Sequence, residues 1–232
     1  MIKFQNVTKT YPSHVPHLKP TVALQDINFE IGEKEFVLIV GKSGAGKTTL
    51  LKLLLVEEKP TEGRVLFKGH EISKIKSSKL PFFRRKIGSV FQDYKLLAQK
   101  TAYENVAYIL EVIGVDEEEI KRDVPKALEI VGLTDRMDNF PDELSAGEKQ
   151  RLSIARALIH RPLVILADEP TGNLDPYNTL DIIKILQRIN EMGTTLILST
   201  HNRDIVNSLR KRVITLEKGR LIKDQQRGGF IL

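Results

Sequence analysis

Apolar positions along this chain fall into two textures. Some form short unbroken runs; elsewhere an apolar residue returns every three or four positions. Phe36 to Val40 (FVLIV) and Leu163 to Ala167 are of the first kind and predict buried strands. Ile2 to Thr8, Val22 to Ile31, Arg64 to Phe67, Ile87 to Phe91 and Thr194 to Ser199 read as further strands. The second texture predicts helices over Thr49 to Val56, Tyr103 to Ile113, Ser145 to about His160, Thr179 to Glu191 and Asp204 to Leu209. In Thr179 to Glu191, for instance, Leu180, Ile183, Leu186 and Ile189 lie near helical spacing.

Local chemistry punctuates this pattern. Pro60 to Gly63 and Gly172 to Pro176 read as turns, and Ser77 to Lys86 as a short helix or turn with a basic end. Asp116 opens a helix whose first turn holds Glu117, Glu118 and Glu119, read as N-capping plus complementarity to the helix dipole. Pro125 is expected to interrupt or restart that helix, and Gly132 to end it as a C′ glycine. Ser145 followed three residues later by Glu148 forms a capping box, sufficient by itself to explain both residues. Val213 to Leu216 and Arg220 to Ile222 predict a hairpin across Lys218-Gly219. His14 and His17 lie in a proline-rich stretch and read as loop residues, since nothing nearby supports a metal.

Between the FVLIV strand and its following helix lies GKSGAGKTT: Gly41, Lys42, Ser43, Gly44, Ala45, Gly46, Lys47, Thr48 and Thr49. It matches G-x-x-x-x-G-K-[ST] at every fixed position, in the strand–loop–helix setting the motif needs. Glycines let the backbone curl so that successive N–H groups point inward and cradle phosphate oxygens. The helix N-terminus adds unpaired amides and a positive dipole end. Lys47 can reach terminal phosphates, and the Thr48 hydroxyl can ligate Mg²⁺. The loop therefore implies a nucleoside triphosphate, without saying what its hydrolysis is for.

Composition narrows the setting. The chain has 232 residues, suited to one α/β domain, perhaps with a subdomain. No apolar run approaches the roughly 20 residues that cross a bilayer, and the N-terminal residues show no signal-peptide core. The expectation is a soluble, cytosolic chain that needs a partner for any membrane role. Zero cysteines exclude disulfides and thiolate metal sites. The net charge of +6 comes from scattered positives, the densest cluster being Arg84-Arg85-Lys86. No aromatic-interleaved basic strand suggests base stacking, so no specific nucleic-acid partner is expected.

A phosphate loop needs a partner carboxylate for Mg²⁺, and an apolar strand ending in Asp is the expected source. Leu163 to Ala167 supplies it with Asp168, expected at the carboxyl edge of the sheet. Glu169, the next residue, can serve as general base toward water. Gln92, just past the strand ending in Phe91, can reach the metal, and His201 follows a later strand on the same edge.

Tyr11, GKSGAGKT, Gln92, LSAGE (Leu144 to Glu148), LADEP (Leu166 to Pro170), NLD (Asn173 to Asp175) and His201 stand in the order found in ABC-type ATPase domains, which the whole chain resembles. The resemblance implies an α/β P-loop NTPase fold: a RecA-like core (1–92 and 162–232) with an antiparallel β subdomain and a helical subdomain (93–161). It implies that Tyr11 stacks on adenine, that Lys47, Ser43 and the loop amides hold the phosphates, and that Thr48, Gln92 and Asp168 form the Mg²⁺ shell. It makes Glu169 the catalytic base and His201 the γ-phosphate switch. Two copies would face each other head to tail, Ser145, Gly147 and Glu148 of one binding the γ-phosphate of the other's ATP, with Asp175 lining the interface. One departure stands out: the family usually has Gly at the position of Ala146, and a methyl there is expected to restrict backbone freedom and weaken dimer closure.

The run from Leu80 to Tyr108, together with ADEPTGNLDP and the C-terminal residues, resembles the FtsE-type cell-division branch of the family. That resemblance implies ATP-driven homodimerisation, an integral membrane partner of the FtsX type, and control of cell-wall hydrolysis from the cytoplasmic face of the inner membrane. The partner would dock near Tyr94, Leu96, Leu97 and Tyr103, although Leu96 and Leu97 read equally well as helical core. An exporter or lipoprotein-release ATPase carries nearly the same motifs and stays open. A DNA-associated ATPase of the superfamily would need long coiled-coil insertions, which the sequence lacks.

Overall fold

The computed structural model describes residues 1–13 and 19–229. The readings of His14 and His17 lie outside them. The chain divides into two compact units, one formed by Met1–Arg84 with Ile197–Leu232 and the other by Arg85–Leu196.

The first unit holds two sets of strands. β1 (Ile2–Tyr11), β2 (Thr21–Ile31), β4 (Glu62–Phe67) and β5 (His70–Glu71) form an antiparallel sheet in the order β2-β1-β4-β5. Phe4 opposes both Phe29 and Val65, and the Phe4 and Phe29 rings stack at 4.6 Å. β3 (Phe36–Val40) runs parallel to β9 (Arg212–Glu217), which turns back into β10 (Arg220–Gln225) as the expected hairpin. Every residue of β3 is buried, as its unbroken apolar run required. Arg212 fastens this edge: its guanidinium donates to both carboxylate oxygens of Asp224 (2.7 and 2.6 Å), to Glu35 Oε1 (2.8 Å) and to the Glu30 carbonyl (2.8 Å). Those carboxylates hold its pKa above the ordinary arginine value.

The second unit is mostly helical. β6 (Ile87–Phe91) and β7 (Val164–Asp168) pair in parallel, with α3 (Ala102–Ile113), α4 (Glu117–Ile130), α5 (Ala146–Leu158) and α6 (Pro176–Glu191) around them in the chain. α3 is closed at its start by a Thr101–Glu104 capping box and at its end by Gly114 at φ 81°. α4 ends in a Schellman turn: Gly132 (φ 69°) donates to the Glu129 carbonyl and Leu133 to that of Leu128.

Several local expectations change. Pro125 does not break α4, which runs unbroken from Glu117 to Ile130. The proline removes a bond to the Lys121 carbonyl on an exposed turn, where water can replace it, while Ile120, Val124, Ala127 and Leu128 stay buried and hold the helix. Asp116 precedes that helix but makes no side-chain cap bond, so its acidic start acts through the dipole and through ion pairs such as Glu117 with Lys121 (2.8 Å). Glu62 and Gly63, expected in a turn, belong to β4; Gly63 takes φ 74° and lies against the Gln5 and Asn6 carbonyls, where no Cβ fits. Pro176, read as the end of a turn, is the first residue of α6, capped by Asp175. α2 (Leu80–Arg84) and α7 (Arg203–Leu209) are short; Leu96 is half-buried and Leu97 exposed, so neither is core.

Candidate functional site

In the first unit, β3 delivers the chain into the phosphate loop and α1 (Lys47–Leu54) leaves it. Gly46 caps α1 from the left-handed region at φ 105°. A Cβ there would strike the Ala23 carbonyl and the Leu24 side chain, so the second glycine of the motif is required by both conformation and packing. No side chain caps α1, which leaves its first amides to an anion. Lys47 is buried, and its ammonium donates to the carbonyls of Gly41 (2.8 Å) and Lys42 (3.3 Å). The cation is thus held at the loop it serves. Thr48 is exposed at the second position of α1. The tip of the β9–β10 hairpin braces the loop from behind, with Gly219 N–H donating to the Ala45 carbonyl and Gln25 N–H to the Gly219 carbonyl. Sequence pattern gave no hint of that brace.

Tyr11 closes β1 with its backbone paired to Thr21 and its ring half-buried, the Lys9 ammonium 4.8 Å from the ring centroid. His201 is exposed, one residue past β8 (Thr195–Thr200). Its link is short and fixed, because Asn202 N–H bonds Thr200 Oγ1 and the Asn202 side chain caps α7.

In the second unit the structure joins residues that the sequence only suggested were near. Phe91 is the register partner of Asp168, so Gln92 and Asp168 lie at the same ends of adjacent parallel strands. The Gln92 amide nitrogen donates to Asn173 Oδ1 (3.1 Å), and Asn173 Nδ2 returns a bond to the Gln92 carbonyl (3.3 Å). Gly172 lies directly under the Gln92 amide, where a Cβ would come within 2.8 Å of Nε2. Glu169 adopts φ 47°, in the left-handed region, at a cost of about 1–3 kcal/mol of the kind that clusters at functional positions. Within this unit the Gln92 amide oxygen and the Asp168 carboxylate are hard oxygen donors, of the kind Mg²⁺ takes. With its nitrogen turned to Asn173, the Gln92 amide has its Oε1 on the side away from that bond.

Around the LSAGE segment, Ser145 and Glu148 form the expected capping box: Ser145 N–H and Oγ donate to Glu148 Oε2 (2.8 and 2.7 Å), and Glu148 N–H donates to Ser145 Oγ (3.3 Å). Arg136 adds a third donor at 3.1 Å. The Ser145 bonds, reinforced by Arg136, hold the Glu148 carboxyl down at about 2. Ala146 is exposed in the first turn of α5, outside the left-handed region, and the methyl expected to restrict the backbone there meets no strain within the chain. The demanding position is Gly147, which is buried against the side chain of Asn178. Asp175 caps α6 by accepting from the N–H groups of Tyr177 and Asn178, and these bonds together with the Asn178 amide lower its pKa.

The segment after Gln92 is held by residues that sequence motifs did not single out. Tyr94 and Lys95 are consecutive left-handed residues. Asn105, fully buried on α3, bonds the carbonyls of Leu97, Lys100 and Thr101 and accepts from Leu97 N–H. Arg156 donates to the Lys95 carbonyl at 2.6 Å. The one available signal was an amide amid the apolar face Ala102, Val106, Ala107 and Leu110.

The ABC transporter family profile matches residues 24–172. The chain belongs to the ABC transporter family. As a member of that family it is an ATP-binding cassette with ATPase activity on an α/β P-loop NTPase fold. It is 51% identical over 230 residues to the cell division ATP-binding protein FtsE of Mycobacterium tuberculosis, covering 99% of this chain and 98% of that one. Identity to the Bacillus subtilis FtsE is 47%, again over 230 residues and 99% and 98% of the two chains. A solved ATP-binding cassette, dimeric in a post-hydrolysis state with ADP and Pi, superposes with a TM-score of 0.88 at 36% identity, covering 99% of this chain and all of that one. The resemblance to the FtsE-type branch is borne out by these relatives.

Proposed function

We propose that this ABC ATPase binds Mg-ATP, closes as a head-to-tail homodimer, and passes that closure to an integral membrane partner of the FtsX type that governs cell-wall hydrolysis during division. It would act at the cytoplasmic face of the inner membrane; none of the described helices is long and apolar enough to cross a membrane. The supporting observation is identity to FtsE relatives that runs through 99% of the chain, far beyond the nucleotide motifs.

In this reading Tyr11 stacks on adenine, while Lys47, Ser43 and the amides of Gly41 to Thr49 hold the phosphates. Thr48, Gln92 and Asp168 would hold Mg²⁺, which when bound neutralises phosphate charge. Glu169 takes the proton from the attacking water, and His201 hydrogen-bonds the γ-phosphate. Ser145, Gly147 and Glu148 face the γ-phosphate of a second copy, and Asp175 lines the shared interface. Residues 93–161 act as the helical subdomain that meets the partner, near Tyr94, Leu96, Leu97 and Tyr103.

Affinity purification from membranes tests the partner. A tagged Glu169→Gln chain, loaded with ATP, is expected to retain an integral membrane protein with few transmembrane helices and an external domain that binds hydrolase regulators. Recovery of an exporter or lipoprotein-release permease instead would overturn the cell-division assignment while leaving the ATPase intact.

A further inference from the structure

Gly147 lies in the first turn of α5 and Asn178 in the first turn of α6, and the two positions are in contact. A Cβ on Gly147 would overlap Asn178 Oδ1, lie 2.6 Å from its Cγ and stand 3.3 Å from its Cβ. The same amide is tied on its other side, since Asn178 Nδ2 donates to Asp175 Oδ2 at 2.5 Å. Asp175 does not need that bond to cap α6, because its Oδ1 already accepts from the N–H groups of Tyr177 (2.9 Å) and Asn178 (3.0 Å). The Asn178 amide is therefore surplus to the cap. What it adds is a rigid spacer between the carboxylate of Asp175 and the backbone of Gly147. Its carbonyl oxygen also lies at the positive end of α5, the favourable end for a negative dipole.

We propose that Asn178 is a positioning residue that locks the start of α5 to the loop ending at Asp175. Ser145 and Asp175 then move as one block when a second copy closes on the chain. The inference rests on the ATP-dependent dimer put forward above. It gives Gly147 a second requirement besides closeness to a phosphate: the glycine is the socket for the Asn178 amide. A methyl at Gly147 drives the two helix starts apart, whereas a methyl at Ala146, exposed one residue earlier, does not.

A double-mutant cycle tests this, using the full chain with Gly147→Ala, Asn178→Ala and both together. Turnover, KM for ATP and Tm are measured for each. Gly147→Ala is expected to lower kcat on the order of a hundredfold, as small misplacements of catalytic groups do, with KM for ATP unchanged. Removing the amide with Asn178→Ala makes room for the methyl, so the double variant is expected to regain about tenfold of that kcat. Asn178→Ala alone is expected to lower kcat and leave KM as in the wild type. A double variant no more active than Gly147→Ala would overturn the proposal, as would an Asn178→Ala change confined to KM. If Gly147→Ala fails to fold, recovery of a cooperative melting transition by the second substitution supports the contact, and no recovery refutes it. A Glu169→Gln chain that binds ATP normally yet forms no ATP-dependent dimer would instead remove the dimer reading, and with it the role assigned to the lock.

Discussion

Gln92 and Asn173 form a reciprocal pair: the Gln92 side-chain amide donates to Asn173 Oδ1 at 3.1 Å, and the Asn173 amide donates to the Gln92 carbonyl at 3.3 Å. Asn173 thereby fixes which atom of the Gln92 amide is presented at the end of β6. If Gln92 holds Mg²⁺ as proposed, Asn173 does for it what outer-shell groups do for metal-binding histidines. Asn173→Ala removes both bonds and frees the amide to rotate. Turnover is expected to fall roughly tenfold to a hundredfold, with nucleotide affinity near wild type. Steady-state kinetics beside a fluorescent-nucleotide titration separates the two, and an unchanged kcat would show that Gln92 needs no such support.

Glu169 follows Asp168 in the left-handed region, and its carbonyl accepts from Gly172 N–H at 3.1 Å. A side chain carried on backbone fixed in this way suits the general base proposed above. Glu169→Gln keeps size and conformation while removing basicity. The variant is expected to bind Mg-ATP, lose turnover by roughly 10²–10⁴-fold, and accumulate as an ATP-bound dimer on size-exclusion chromatography. Undiminished hydrolysis would assign the base elsewhere.

Lys47 is the buried cation of the phosphate loop, donating to two of that loop's carbonyls. Lys47→Ala is expected to abolish nucleotide binding by equilibrium titration. Normal ATP affinity in this variant would refute the loop's role.

Much of this arrangement was legible in the sequence, and for identifiable reasons. The strand at Phe36–Val40 was read to the residue, because an unbroken apolar run between polar loops has few alternatives, and Ile87–Phe91 was read to the residue as well. The Ser145–Glu148 capping box and the C′ glycine at Gly132 are local, so local sequence announces them. Pro125 misled because propensity is a weak local vote, and four buried apolar residues outweigh it. Asn105, Asn173 and Asn178 stayed invisible for a different cause. Each acts on backbone or side chains reached only through tertiary packing, and an asparagine in a helix or turn carries no mark of what it will meet. Ala146 and Gly147 show the same limit: family habit drew attention to the first, while packing places the requirement on the second.

Glu148 gives the fold a pH dependence whose sign follows from its bonds. Donors from Ser145 and Arg136 lower its pKa to about 2 in the folded chain, against about 4.3 for an ordinary glutamate. The folded state therefore binds this proton less readily than the unfolded state. The stabilisation is fully present above the unfolded value and is lost as pH falls toward 2. With the carboxylate side chain 18% exposed and Arg136 53% exposed, screening leaves about 1–2 kcal/mol of it. Urea unfolding of wild type and Glu148→Gln is expected to differ by that amount at pH 7 and by much less at pH 2.5. A gap independent of pH would show that the bonds, not the charge, hold the carboxylate in place.

Asn105 offers the sharpest test of how the segment after Gln92 keeps its shape. Its side chain has no solvent exposure, and its nitrogen lies 2.8–3.0 Å from the carbonyls of Leu97, Lys100 and Thr101. The Thr101 carbonyl also takes the Asn105 N–H and the Leu97 carbonyl the Lys100 N–H, so the Lys100 carbonyl leans most on the Asn105 amide; Tyr94 and Lys95 just before this stretch are left-handed. Leucine at this position has similar volume but cannot donate, so the Lys100 carbonyl must turn toward water and the Leu97 and Thr101 carbonyls keep only their backbone donors. Asn105→Leu is expected to cost about 1–3 kcal/mol of stability. Because α3 keeps its other buried residues, the damage should concentrate in residues 92–100 rather than in the helix. Hydrogen exchange read peptide by peptide is expected to show faster exchange there, with α3 little changed. Asn105→Asp is expected to be worse, since a buried carboxylate would face the same oxygens. Wild-type exchange in residues 92–100 of Asn105→Leu would remove Asn105 as the residue that fixes the segment where the membrane partner is proposed to dock.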